Sequence, residues 1–134
     1  MIVVDSSAVV AILFQEQSAS RLLSRLSADP ERLMSAASYV ETGTVLAGRR
    51  LSEKRRAADD LDAFLAHAGI EVVPIDMRQA RLVLRARISF GRGMGHGGLL
   101  NFGDAFSYAL AKSRDAPLLF LGNDFAATDV RAAL

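Results

Sequence analysis

The chain has 134 residues, 51% apolar and 23% charged, with a formal net charge of +1; that is enough to bury a core and excludes an intrinsically disordered segment. It has no cysteine and two histidines, His67 and His96, which excludes disulfides, thiolate nucleophiles and cysteine-based zinc sites and disfavours a histidine-rich one. Any metal is therefore expected on oxygen ligands, which points to Mg²⁺ or Mn²⁺, and any pull on nucleic acid must come from local patches rather than from the whole-molecule field.

The opening MIVVDSSAVVAILF is apolar, but it lacks a basic n-region and carries Asp5 in its middle. It does not read as a signal peptide, and no apolar run approaches a membrane span, so a soluble cytoplasmic protein is expected. Ile2–Val4 is a predicted buried strand. Ser7–Leu26 is a helical segment in which Ala8 to Phe14 run without a charge and Ala19, Leu22, Leu23 and Leu26 repeat at helical spacing within Ser18–Leu26. Arg32–Ser35 is a weaker strand. A helix over Val40–Leu51 is apolar or small at Val40, Gly43, Val45, Leu46 and Ala47 and then turns basic. Lys54–His67 places Leu61, Phe64 and Leu65 on one face. Ile70–Val73 is a further strand. Met77–Ile88 sets Ala80, Val83, Leu84 and Ile88 against a face of arginines, and Gly103–Ser113 turns Ala105, Phe106, Ala109 and Leu110 inward. Leu118–Leu121 is the last clear strand, with Val130–Leu134 as a short edge strand. Strands alternating with helices predict an α/β fold, a parallel sheet of four to five strands flanked by helices, in a single domain over residues 1–134. The Gly91–Gly98 stretch superficially matches a dinucleotide-binding loop, but it follows a helix rather than a strand and reads as a flexible connection, with His96 as a solvated loop residue.

The acids are placed informatively. Asp5 follows the first strand directly, Asp124 follows the last after a Gly-Asn turn, and Glu41 lies shortly after the weak strand, in the first turn of the next helix. Asp104 opens the Gly103–Ser113 helix. In open parallel sheets the ligand site lies beyond the carboxyl ends of the strands, so the four are expected at one edge. Each acid alone has a capping explanation. Four together repel one another, and no ring of Arg or Lys adjoins them in sequence, so a divalent cation is the natural counter-charge. Metal-assisted phosphodiester or phosphate-ester hydrolysis follows, by a nuclease or a phosphatase.

MIVVDSSAVVAIL, SYVETGTVL, LNFGDAFSYALA and LLFLGNDFAATDV, in this order and at these spacings, resemble the PIN-domain family and within it the VapC-type toxins. The resemblance covers nearly the whole chain. It implies a PIN-like doubly wound sandwich and an Mg²⁺-dependent endoribonuclease (with Mn²⁺ as a substitute), the toxin of a type II toxin–antitoxin system inhibited by a cognate VapB-like antitoxin. It further implies a homodimer, and operator DNA contacted only through the antitoxin. By position Asp5, Glu41, Asp104 and Asp124 match the family's acidic quartet, as catalytic and metal-binding residues. Ser7 and Asn101 are candidates to support them, or else to cap the adjoining helices. Asp129 and Asp76 read as turn or cap residues, and His67 as a cation at a helix end.

Two basic groups remain: Arg49, Arg50, Lys54, Arg55 and Arg56, then Arg78, Arg81, Arg85, Arg87 and Arg92. Asp59, Asp60 and Asp62 dilute the first, so the second is the better RNA track. The uncharged Val9–Phe14 run and the Val40–Leu46 helix are expected to leave a groove for an amphipathic antitoxin segment, whose basic residue reaches the acids. The Gly103–Ser113 and Met77–Ile88 helices are left for a symmetric dimer. Two other classes stand beside this reading: a catalytically idle PIN-like RNA-binding module, and a receiver-like phospho-acceptor domain. The receiver would need paired acids after the first strand and a lysine after the last, where this chain has Asp5-Ser6-Ser7 and Asn123-Asp124.

Overall fold

Ile2, Val3 and Val4 are fully buried, and a strand with no polar position needs cover on both faces. A computed structural model, which describes residues 1–49 and 53–134, supplies that cover. β1 (Ile2–Val4) pairs in parallel with β2 (Arg32–Ser35) on one side and β4 (Leu118–Leu119) on the other, and β3 (Ile70–Val73) pairs in parallel with β2, giving the order β3-β2-β1-β4. Among the described residues six α-helices flank the sheet: α1 (Ser6–Leu13), α2 (Ala19–Ser27), α3 (Ala36–Arg49), α4 (Ala57–Ala68), which a 3-10 turn over Lys54–Arg56 precedes, α5 (Met77–Phe90) and α6 (Phe102–Ser113).

The pleat sorts the strand residues between two cores. Ile2, Val4, Met34, Ile70 and Leu119 pack with Val9, Leu22, Leu46, Leu61 and Leu65 from α1 to α4. Val3, Leu33, Val73 and Leu118 pack with Val83 and Ala86 of α5 and Ala105, Ala109 and Leu110 of α6. The chain runs outward from β1 to β2 and β3, then returns to lay β4 on β1's other flank. The β1/β4 junction is thus where the strand order reverses, and crevices beyond the carboxyl ends of such strands bind ligands.

Several expected bounds shift, each for a local reason. The last strand stops at Leu119: β1 ends at Val4, and the Leu121 N–H is taken by Ser7 Oγ at 3.0 Å instead of by a ladder partner. The C-terminal edge strand reduces to one bridge, Leu118 with Ala132, so the sheet has four strands. α3 begins at Ala36, directly after β2. Ala36, Ala37 and Ser38 are too small to show apolar periodicity, so the start is invisible in the pattern. Glu41 consequently stands in the second turn, not the first. Arg50 and Leu51 lie outside the described residues.

The expectation of open apolar surface on the first helix is corrected. Gln15 takes a left-handed conformation (φ 52), which breaks the Ser7–Leu26 segment into two helices. α2 folds back on α1, and α3 covers a further side. Ala8, Val9, Val10, Ala11 and Ile12 are all buried within the chain itself. α3 does keep an open apolar side: Val40 is 63% exposed in a groove shared with Ala57 and Leu61. Among the described residues no helix is long and apolar enough to cross a membrane.

Candidate active site

Asp5 is placed by the end of β1. Its backbone is extended (φ −82, ψ 157), and its N–H still donates to Leu119 O at 2.9 Å. Its side chain then caps α1: Oδ2 accepts from the Ser7 N–H at 2.9 Å and from Ser7 Oγ at 2.6 Å. Oδ1 accepts from Ser107 Oγ of α6 at 2.6 Å, and Ser107 Oγ meets Ser38 Oγ of α3 at 2.9 Å. Asp5 is only 2% exposed. Hydroxyl and amide donors from α1 and α6 satisfy its carboxylate, with Ser38 of α3 behind Ser107, which is what a buried charge requires.

Asp104 enters from the other core. Asn101 caps α6 with a reciprocal box: Asn101 Oδ1 accepts the Asp104 N–H and Asp104 Oδ2 accepts the Asn101 N–H, both at 2.9 Å. Such a cap is worth about 1 kcal/mol. Capping leaves the carboxyl buried, however, and that burial is the main cause that pushes it up from 3.8 to about 6; the Asn101 N–H opposes this, and the charges of Asp5, Asp124 and Glu41 add to it. Asp5, Asp124 and Glu41 are therefore near enough for their charges to act on Asp104.

Glu41 reaches this edge across the first turn of α6. Ser6 Oγ donates a hydrogen bond to its Oε1. Oε2 lies so close to Gly103 that a Cβ there would sit 1.7 Å from it. Only a residue without a side chain admits the carboxylate, which then faces the partly positive N-terminus of α6. The obstruction is the mobile end of a side chain, so Gly103→Ala is expected to leave the helix standing, or steadier, by up to about 1 kcal/mol. The same substitution drives Glu41 off Ser6. Any catalysis at this edge is expected to fall about tenfold or more while the melting temperature holds; an unchanged rate would show that Glu41's position is immaterial.

Asp124 follows β4 and its side chain is 42% exposed, with its Oδ1 3.7 Å from an Arg92 guanidinium nitrogen. Among the described residues no three acidic or histidine side chains converge tightly enough to ligate one ion as they stand. Asp5 is committed to hydroxyls on both oxygens, and Asp124 is turned toward Arg92. The donor set nonetheless suits Mg²⁺, which binds through one or two carboxylates and keeps several waters. Burial is the main reason that Asp104 is raised, and the smaller push from the charges of Asp5, Asp124 and Glu41 is the part that a cation would relieve.

The remaining acids lie elsewhere. Asp129 accepts from Tyr108 Oη at 2.6 Å and from Lys112 at 2.9 Å, and Asp76 caps α5 through the Gln79 N–H. Ser6, Ser107 and Gly103 are not site candidates in the sequence, which offers Arg92 only as a member of the second basic group and not as a partner of Asp124. Ser107 carried a usable signal, standing one helical turn beyond Asp104; Ser6 and Gly103 adjoin acids but act on Glu41, a partner distant in sequence.

Comparison with known proteins identifies the family and the fold. The sequence profile of the PIN domain matches residues 2–131. Ribonuclease VapC28 of Mycobacterium tuberculosis is 47% identical over 132 residues, 98% of this chain and 97% of that one. The structure of Mycobacterium tuberculosis VapC20, a sarcin–ricin-loop-cleaving toxin, superposes with a TM-score of 0.73 at 19% identity over 97% of this chain and 96% of that one. VapBC2 from Rickettsia felis, bound to a DNA fragment from its promoter, gives 0.71 at 18% identity over 98% and 96%. The parallel sheet, the acids gathered at its β1/β4 junction and relatives of this identity across nearly the full length lead to one conclusion: the chain belongs to the PIN-domain family, as a VapC-type member.

Proposed function

We propose that the chain is an endoribonuclease, the toxin of a toxin–antitoxin pair, and that Asp5, Glu41, Asp104 and Asp124 are its catalytic and metal-binding residues. The observation that carries this reading is the buried Asp104 carboxyl, raised to about 6 with three acids acting on it, in a chain 47% identical to a ribonuclease. Mg²⁺, or Mn²⁺ in its place, supplies water activation and charge stabilisation for phosphodiester hydrolysis when bound. The protein's part is positional. Ser7 and Ser107 fix Asp5, Asn101 fixes Asp104, and Ser6 with Gly103 fixes Glu41. Along α5, Arg78, Arg81 and Arg85 are exposed, and a 14-residue helix runs about 20 Å toward Arg92, a track for phosphates. Structured RNA incubated with the purified protein should be cut with millimolar Mg²⁺ or Mn²⁺ and left whole in EDTA; equal cutting in EDTA would defeat the reading.

The partners follow from the open apolar faces. Met77, Leu84 and Ile88 are 64%, 61% and 55% exposed and line one stripe of α5 beside the arginines, which supports a symmetric homodimer. Leu84→Glu with Ile88→Glu should shift sedimentation from dimer to monomer without lowering the melting temperature appreciably; a wild type already monomeric at micromolar concentration would contradict this. The α3–α4 groove around Val40 suits an amphipathic antitoxin helix, with operator DNA reached through that antitoxin.

A further inference from the structure

Phe102 opens α6 with its side chain turned out. It is 69% exposed, and its ring meets that of Phe106, one turn on, edge-to-face at 5.0 Å. Phe106 packs against the core and so braces the outer ring. A helical pair of this kind accounts for the inner ring but not for leaving the outer one in water. The next residue is Gly103, pressed against Glu41, and the one after is Asp104. On the preceding loop, the Arg92 N–H donates to Leu100 O at 2.9 Å. That bond closes the base of the loop and brings Arg92 within two residues of Phe102 along the bridge. The Arg92 side chain is 67% exposed, and its 3.7 Å contact with Asp124 is an open, water-screened pair that an incoming phosphate displaces readily.

We propose that Phe102 and Arg92 form the seat for an unpaired stretch of RNA beside the acids, a base stacking on the Phe102 ring and a phosphate pairing with Arg92. This rests on the ribonuclease reading and specifies the substrate as single-stranded at the point of cleavage. An aromatic face next to a cation is how unpaired nucleic acid is held, because every base has a face to stack while duplex RNA offers none. An amphipathic protein helix would instead want a continuous apolar groove. Here polar Asn101 and the acids' own Asp104 stand within two residues of Phe102, and Arg92 joins the chain at Leu100 through its N–H.

Fluorescence anisotropy of a labelled RNA hairpin, titrated with Asp5→Asn protein in Mg²⁺, reads binding without cleavage. Adding Phe102→Ala is expected to weaken hairpin binding about 5- to 150-fold and to leave a blunt duplex of equal length unaffected. Phe102→Trp should restore the affinity and Phe102→Leu should not, since bulk without a π-face is insufficient. Arg92→Ala should lower the salt dependence of binding by about one phosphate contact. The seat is overturned if Phe102→Ala binds the hairpin as tightly as its parent, if Phe102→Leu restores binding, or if Phe102→Ala loses its antitoxin while keeping RNA. Wild-type cleavage of the same hairpin separates the two levels. A wild type that neither binds nor cuts RNA overturns the ribonuclease reading with the seat; one that cuts it no faster than Phe102→Ala overturns the seat alone.

Discussion

Asp5→Ala and Asp104→Ala are each expected to lose RNA cleavage by at least about 10²–10³-fold. Both carboxylates are buried at the β1/β4 junction, 2% and 5% exposed, and bulk water cannot replace either one. Asp5 also caps α1, so its alanine variant forfeits about 1 kcal/mol of stability; Asp5→Asn keeps a capping oxygen and isolates the chemistry from the fold. Asp104→Asn likewise retains an oxygen for the Asn101 N–H. Glu41→Ala and Asp124→Ala should be impaired less completely, since Glu41 is half-buried and Asp124 is half open and engaged by Arg92. Rates are to be read on one structured RNA under saturating Mg²⁺, with melting curves beside them. Full activity in Asp5→Ala would remove the metal-centred mechanism.

The legibility of these features in sequence followed their range. β1, β2 and β3 span the residues expected of them: β1 is apolar along its length, as a strand buried on both faces must be, while β2 carries Arg32 and Ser35 at its ends and β3 turns Glu71 to solvent. α4 to α6 were visible from their apolar faces, and Asp5, Asp104 and Asp124 from their places after strands or at a helix start. What escaped depended on contacts between distant segments. Leu118–Leu121 shortens because Ser7, over a hundred residues earlier, takes the Leu121 N–H. The apolar α1 looked like external surface because α2, folding back at Gln15, cannot be foreseen from a helical pattern that continues through the break. Gly103 reads as an ordinary helix-start glycine until Glu41 is seen against it. Ser107 shows one turn beyond Asp104 in the sequence, but its bond is to Asp5, 102 residues away.

The same buried Asp104 should make the stability of the metal-free protein depend on pH in a defined sense. Its carboxyl is raised from 3.8 to about 6, so between those values the folded state holds a proton that the unfolded chain has released. Unfolding releases that proton, and the contribution to stability is full below about 3.8 and lost as pH rises through about 6, bounded at about 3 kcal/mol. Asp29, held low by Arg25, and Asp129, held low by Tyr108 and Lys112, act the other way. Their contributions are lost only as pH falls below the ordinary carboxylate range, so they leave the window from pH 5 to 7.5 to Asp104. In EDTA the melting temperature is therefore expected to fall across that window, and Asp104→Asn should flatten the profile. Millimolar Mg²⁺ should raise the melting temperature by binding the native state, and more at pH 7.5 than at pH 5, because its ligands must be unprotonated. Asp5→Asn combined with Asp104→Asn should abolish that shift. A wild-type profile that matches Asp104→Asn in EDTA, or an Mg²⁺ effect as large at pH 5 as at pH 7.5, would mean that Asp104 titrates as an ordinary carboxylate and is not where the cation's charge is felt.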